Sequence, residues 1–379
     1  MNTRLLINQK AFPNNFDFIR YVLAASVILC HSYLIIYGPK VFIEIEPFLI
    51  WSKGQISIGS VAVNLFFVIS GFLIVKSFES STNYLNYLSK RVLRIFPGFI
   101  VAFLLSILVA GFIGSGLIFN WENYSQYFTR LNHKKELIHL FTLRSHFQYV
   151  FFKTLPERGL NVSLWTIQYE FICYLLVPLF ALLAFFKHRW AFFCAFLLAY
   201  LLLFLQGTEY IFPFIERGYF GFSNPFFYPR FITYFLAGAC FFIYRDKIIR
   251  SNILFFLSVV TLVLSFTWIK CVDQVMPLAG TYLVFHFTYH SNIKLWNFAK
   301  YGDFSYGVYL YAWPVQQLIM YYFRNYLNPY SLFLLALLIT TMVAFLSWHL
   351  IEKPFLQLKK KQIETPKSLP IVADTGQLV

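Results

Sequence analysis

The sequence predicts an all-α integral membrane protein, a single bundle of about ten transmembrane helices with both termini in the cytoplasm. Three observations lead there. Of 379 residues, 59% are hydrophobic and only 12% charged, where a soluble domain carries about a quarter charged residues. The mean hydropathy is +0.63, and aromatic residues, at 22%, suit lipid-facing Phe with interfacial Tyr and Trp. Apolar runs recur from end to end with short polar breaks, and the Lys and Arg residues fall in those breaks.

Read at about 17–25 residues per span, the runs place helices near 17–37, 56–76, 95–118, 163–186, 190–206, 226–244, 251–270, 274–290, 304–323 and 331–351. The eighth is interrupted by Pro277 and Gly280. Placing the N-terminus in the cytoplasm puts about 18 of the 31 basic residues on that side and about 12 opposite, half of the latter in one long segment, so an even span count with both ends inside follows. The first span has no small-residue cleavage site and is predicted to act as its own insertion signal. The predicted organisation is a cytoplasmic N-terminal segment (1–16), a membrane domain (17–358) and a short polar cytoplasmic tail (359–379).

The segment 119–162 holds His133, His139 and His146 and reads either as a lid or acceptor-binding element or as an interfacial helix with solvated charges. The net charge of +15 does not indicate nucleic acid, because the charges form no patch with exposed aromatics. Five scattered cysteines without a CxxC pair or a Cys/His spacing predict neither a disulfide framework nor a metal site.

Chemistry is predicted first in the run FDFIRYVLAASVILCHSYLIIY. Charged and titratable groups inside a span face a protein interior or a water-filled path and mark functional sites. Arg20 and His31 are eleven residues apart. That spacing turns through about 1100°, within about 20° of three full turns, so both lie on one helix face about 16 Å apart along the axis. Asp17 lies on the same side and is a candidate partner for Arg20. An imidazole with an unperturbed pKa near 6.5 can take a proton from a hydroxyl at neutral pH or attack an acyl group itself, and the sequence leaves both open. Arg20 suits a phosphate-bearing ligand; the plainer reading is snorkelling to the headgroups.

Further motifs follow in order. NLFFVISGFLIV places Asn64, Ser70 and Gly71 inside an apolar span, where small residues also permit close helix packing. SKRVLRIFPGF carries Arg91 and Arg94. LWTIQYEFICYLLVP buries Glu170, with Tyr174 four residues on and so on the same face. YGDFSYGVYLYAWP opens the ninth span, with Tyr309 inside it, and SWHLIEKPF closes the tenth. If the first span enters the bilayer near Asp17, His31 lies about 9 Å from the far boundary of a 30 Å core and Glu170 about 10 Å below it. The two are therefore predicted at similar depth, with Glu170 orienting His31 or bonding another helix. His286, His290 and His349 lie near span ends and are predicted to be interfacial.

In order and spacing these motifs resemble the membrane-bound acyltransferase family 3, which includes bacterial O-acetyltransferases of lipopolysaccharide, capsule, exopolysaccharide and peptidoglycan. The resemblance runs from Phe16 to about Phe355. It implies transfer of an acyl group, usually acetyl from cytoplasmic acetyl-CoA, to a sugar hydroxyl of a surface glycan or its lipid-linked precursor, in a bacterial inner membrane and without a metal. By resemblance, Arg20 and His31 are the core pair, and Arg91 and Arg94 belong with Arg20 to the donor site. Glu170 joins the candidate catalytic residues, with Asp17, Ser70, Tyr174 and Tyr309 as further candidates. Many members carry a histidine in the ninth span in a YLxHxP pattern; this chain has Ala312 there, which leaves His31 as the histidine to act. Two rival classes are a secondary transporter or flippase for a lipid-linked glycan and a structural membrane subunit of a polysaccharide-synthesis complex. The sequence leaves the acceptor sugar and the oligomeric state open.

Overall fold

The computed structural model describes residues 3–4, 14–144, 155–206, 224–290 and 293–358. The predicted tail (359–379) and His146 lie outside them. Among the described residues, ten helices of 13 residues or more follow one another: α1 (Phe16–Ile45), α2 (Ile58–Glu79), α3 (Tyr84–Leu105), α4 (Ile167–Leu182), α5 (Arg189–Gln206), α6 (Tyr228–Ile243), α7 (Asn252–Leu264), α8 (Val272–Thr288), α9 (Ser305–Phe323) and α10 (Pro329–Ser347). Each predicted span falls on one of them. Eight helical stretches are long and apolar enough to cross a membrane. The other two long helices are α8, only 17 residues with Pro277 inside, and α9, which carries Pro314, Gln316 and Gln317. Among the described residues the strand pairing is one antiparallel contact, Thr3↔Arg250 and Arg4↔Ile249.

Local chemistry sets the boundaries. Gly38, at φ 77°, breaks α1 just after Tyr37, and Pro39 restarts a short helical piece that runs to Ile45. The Ser57 and Asn83 side chains accept from backbone N–H groups in the first turns of α2 and α3, and Asn328 with Ser331 forms a capping box on α10. Among the described residues of 119–162 are two short helices, Trp121–Arg130 and His133–Phe141. The exposed Phe119, Trp121 and Phe128 beside charged residues fit the surface-lying reading of that segment.

Contacts between helix ends show that successive helices reverse direction. On one face Asn15 donates its backbone N–H to the Thr288 carbonyl at 3.1 Å. There Phe78 stacks on Phe186 at 5.0 Å and Arg245 pairs with Glu79 at 3.1 Å. On the other face Gln55 donates to the Phe266 carbonyl at 2.9 Å, and Tyr169 donates to the Asn224 carbonyl at 2.9 Å. The beginning of α1 and the residues after α10 therefore share a face.

The tightest crossing joins α2 and α6. A Cβ at Gly71 would fall onto the Phe235 carbonyl, and one at Gly238 onto the Val68 carbonyl. Only glycine allows this mutual backbone approach. Against α1, α9 is fixed by polar groups: Gln316 donates to the Ile28 carbonyl at 2.9 Å and to Ser32 Oγ at 2.8 Å. Pro314 frees the carbonyl four residues earlier, and Asn161 Nδ2 donates to that Leu310 oxygen at 3.1 Å.

Candidate active site

Two chambers lie between α1, α2 and α9. The first, of about 320 Å³, is lined by Arg20, Ser70, Arg91, Arg94, Glu170, Tyr174, Tyr306 and Tyr309, among others. It reaches toward the face on which α1 begins. The second, of about 230 Å³, holds His31 with Asn64, Trp165, Arg230 and Trp313, and reaches toward the opposite face. Val63 and Tyr309 line both chambers. Arg20 and His31 thus both face the cleft between α2 and α9, one in each chamber.

The three arginines of the first chamber are not equivalent. Arg20 and Arg94 both donate to one oxygen of Asp303, at 2.6 and 2.5 Å, and Ser305 Oγ donates to the other at 2.6 Å. Asp17 stands 4.0 Å from Arg20, and the buried Glu352 stands 3.6 Å from Arg94. Burial would raise the Asp303 carboxyl, but the Arg20 and Arg94 guanidiniums overcome it and hold the group well below the usual carboxylate range. A depressed folded-state value means this contribution to stability is in full force above the unfolded value, about 3.9. It is lost only as pH falls through the lower folded one.

Arg91 is different. Its Nη2 donates to Ser77 Oγ at 3.0 Å, its Nε is buried without a hydrogen bond, and its guanidinium lies 5.8 Å and 5.9 Å from the Tyr87 and Tyr174 rings. Among the described residues no carboxylate lies within 4 Å of it. Arg91 is the arginine of this chamber whose charge is open to an anion.

Glu170 and His31 are not joined. Tyr174 donates to Glu170 Oε1 at 2.5 Å, and Ser70 donates to the same oxygen at 3.3 Å. The similar depth expected of the two residues does not hold: Cys30, beside His31, packs at Gly59, whereas Glu170 bonds Ser70, eleven residues or about 16 Å farther along α2, so Glu170 lies in the first chamber and His31 in the second. Ser70, Tyr174 and Glu170 form one hydrogen-bonded group. Tyr309 bonds Thr166 Oγ1 at 2.5 Å, at the boundary between the chambers.

His31 meets the edge of Trp313 with centroids 4.7 Å apart and planes at 78°. Its Nδ1 is buried without a hydrogen bond. Trp313 is held in turn by its Nε1 donating to the Gly159 carbonyl at 2.7 Å. Ala312 is buried, so the neighbour, not the alanine, packs against the imidazole. His286 is also buried, against Phe255, and His349 lies against Phe345; neither lines either chamber. Among the described residues no group of three or more His, Cys, Asp or Glu side chains could hold a metal ion.

Sequence reasoning missed Asp303, Glu352 and Arg230. The first two lie in quoted motifs, YGDFSYG and IEKPF, and an acid beside a membrane run was the available signal. Arg230, in the first turn of α6, falls inside the predicted span 226–244, and a cation within a span was the available signal.

The family model for an acyltransferase domain matches residues 14–349. An O-acetyl transferase of Shigella phage Sf6 is 30% identical over 362 residues, covering 90% of this chain and 96% of that protein. No solved structure gives a significant match. With a family match over nearly the whole chain and a curated relative over most of its length, this multi-pass membrane protein belongs to the acyltransferase domain family and is an acyltransferase of groups other than aminoacyl.

Proposed function

We propose that the protein transfers an acetyl group from cytoplasmic acetyl-CoA to a hydroxyl of a surface polysaccharide or its lipid-linked precursor, within a bacterial inner membrane. The observation that carries this reading is the pair of chambers meeting at Val63 and Tyr309, one basic and one holding His31. The sidedness comes from the distribution of Lys and Arg, which puts the arginine chamber, the segment 1–16 and the tail 359–379 in the cytoplasm. The name of the phage relative supports O-acetyl transfer.

Arg91 binds donor phosphate through charge-assisted hydrogen bonds, with Arg20 and Arg94 oriented behind it by Asp303. The thioester arm runs inward past Ser70 and Tyr174 to Tyr309. His31 takes the proton of the sugar hydroxyl. The hydroxyl oxygen forms a bond to the acetyl carbon, the carbon–sulfur bond breaks, and the proton passes to the departing sulfur, leaving the ester and a thiol.

The test is proton NMR of the surface polysaccharide from a deletion strain complemented with wild type or His31→Ala. O-acetyl signals restored by wild type but not by the variant, at equal protein in the membrane, are expected. Retained acetylation in the variant would sink this role. An acetyl group trapped on His31 by mass spectrometry would replace general-base action with a covalent one. An unchanged acyl pattern with altered amount or location of polysaccharide would favour transport.

A further inference from the structure

The second chamber is built for more than His31. Ser57, Ser60 and Asn64 recur at intervals of three and four along the start of α2 and line it together. Other parts of its wall are aromatic: Trp165, Phe227, Phe231 and Trp313. Trp165 and Phe227 rings meet at 4.8 Å, which fixes that wall.

Asn64 is 1% exposed. Its Oδ1 accepts from Arg230 Nε at 3.0 Å, which orients the carboxamide and leaves Nδ2 without a hydrogen bond. The Tyr234 hydroxyl, also buried, lies beside the amide. Arg230 Nη2 also lacks a hydrogen bond, and its nearest acid, Asp273, is 4.0 Å away. Leaving such donors unused in a buried site costs about 1–3 kcal/mol each, so an oxygen-rich ligand gains from meeting them. A sugar ring presents hydroxyl oxygens at its rim and an apolar C–H face, matching N–H donors beside aromatic walls.

We infer that the acceptor sugar binds here. Asn64 Nδ2 and Arg230 Nη2 donate to hydroxyl oxygens near the reacting position, the aromatic wall takes the ring's apolar face, and the reacting hydroxyl is held toward His31. This assignment rests on the acyl-transfer reading above.

The test uses membranes carrying the full chain, radiolabelled acetyl-CoA, and a glycan fraction from the deletion strain containing both polymer and lipid-linked precursor. Asn64→Asp keeps the size and the oxygen facing Arg230 while removing the N–H donors; Arg230→Ala removes the other donor. Both are expected to raise the glycan concentration for half-maximal transfer about tenfold or more, with the corresponding acetyl-CoA concentration changed less than about twofold. An unchanged glycan requirement, or equal rises for both substrates, overturns the acceptor site. A wild type that transfers no label to any glycan fails at the earlier step and overturns the acyl-transfer reading itself.

Discussion

The two chambers share a wall but solve different electrostatic problems. The first gathers three arginines and answers two of them with Asp303, leaving Arg91 open. The second holds one arginine, tied to Asn64 and 4.0 Å from Asp273, and presents its N–H groups with a carboxamide against aromatic rings. Charge in the first chamber fits a phosphate-bearing substrate that arrives from water. A carboxamide, a single arginine and rings in the second fit a substrate recognised by shape and hydroxyl pattern. A transferase that takes its substrates from opposite faces gains by separating these tasks, because strong charge beside the acceptor would also bind the wrong end of the donor.

Substitutions can break this contrast. The largest loss is expected of His31→Ala, about 10²–10⁴-fold for a lost general base, with binding on both sides largely retained. Next comes Asp303→Asn, which leaves Arg20 and Arg94 without their shared carboxylate. Removing one member of a buried ion pair costs about 3–5 kcal/mol, so thermal unfolding in detergent should shift down along with donor affinity. A variant as stable as wild type would show the hub to be dispensable. Because Asp303 stays ionised well below pH 5, the pH profile of transfer between pH 5 and 8 should carry no step that Asp303→Asn removes.

Arg91→Ala is expected to act on one side alone. Loss of a hydrogen bond to a charged group, about 1.5–3 kcal/mol, corresponds to about a 10- to 150-fold rise in the acetyl-CoA requirement. The glycan requirement should stay fixed, the reverse of the pattern expected of Asn64→Asp. Equal effects on both substrates would erase the division between the chambers.

Much of the frame was legible in the chain. Ten helices fall on ten apolar runs, and even the end of the first span, at Tyr37, coincides with the break at Gly38. Arg20 and His31 could be placed on one face because helical periodicity is a local property. The pairing of Arg20 with Asp303 could not, since 283 residues separate them. Glu170 shows the limit of depth arithmetic: the 3-10 turn Val162–Thr166 and the packing of α4 set its level against Ser70 and not against His31, and neither can be read from span boundaries. Arg230 was hidden for a related reason. It falls at the start of the predicted span 226–244, and its partner Asn64, 166 residues away, shows only once α6 packs against α2.

The wall shared by the chambers carries one more consequence. On the proposed topology the two chambers open toward opposite faces of an energised membrane, with Val63 and Tyr309 between them. Most of the transmembrane voltage then falls across that wall, at about 2.3 kcal/mol per elementary charge for each 100 mV. Val63 and Tyr309, which line both chambers, stand on that topology where ions would have to be stopped. A Val63→Gly, Tyr309→Ala double variant in proteoliposomes should dissipate an imposed proton gradient faster than wild type; an equal rate of decay would place the seal elsewhere. An acyltransferase built into a membrane has also to remain, between turnovers, an intact piece of dielectric.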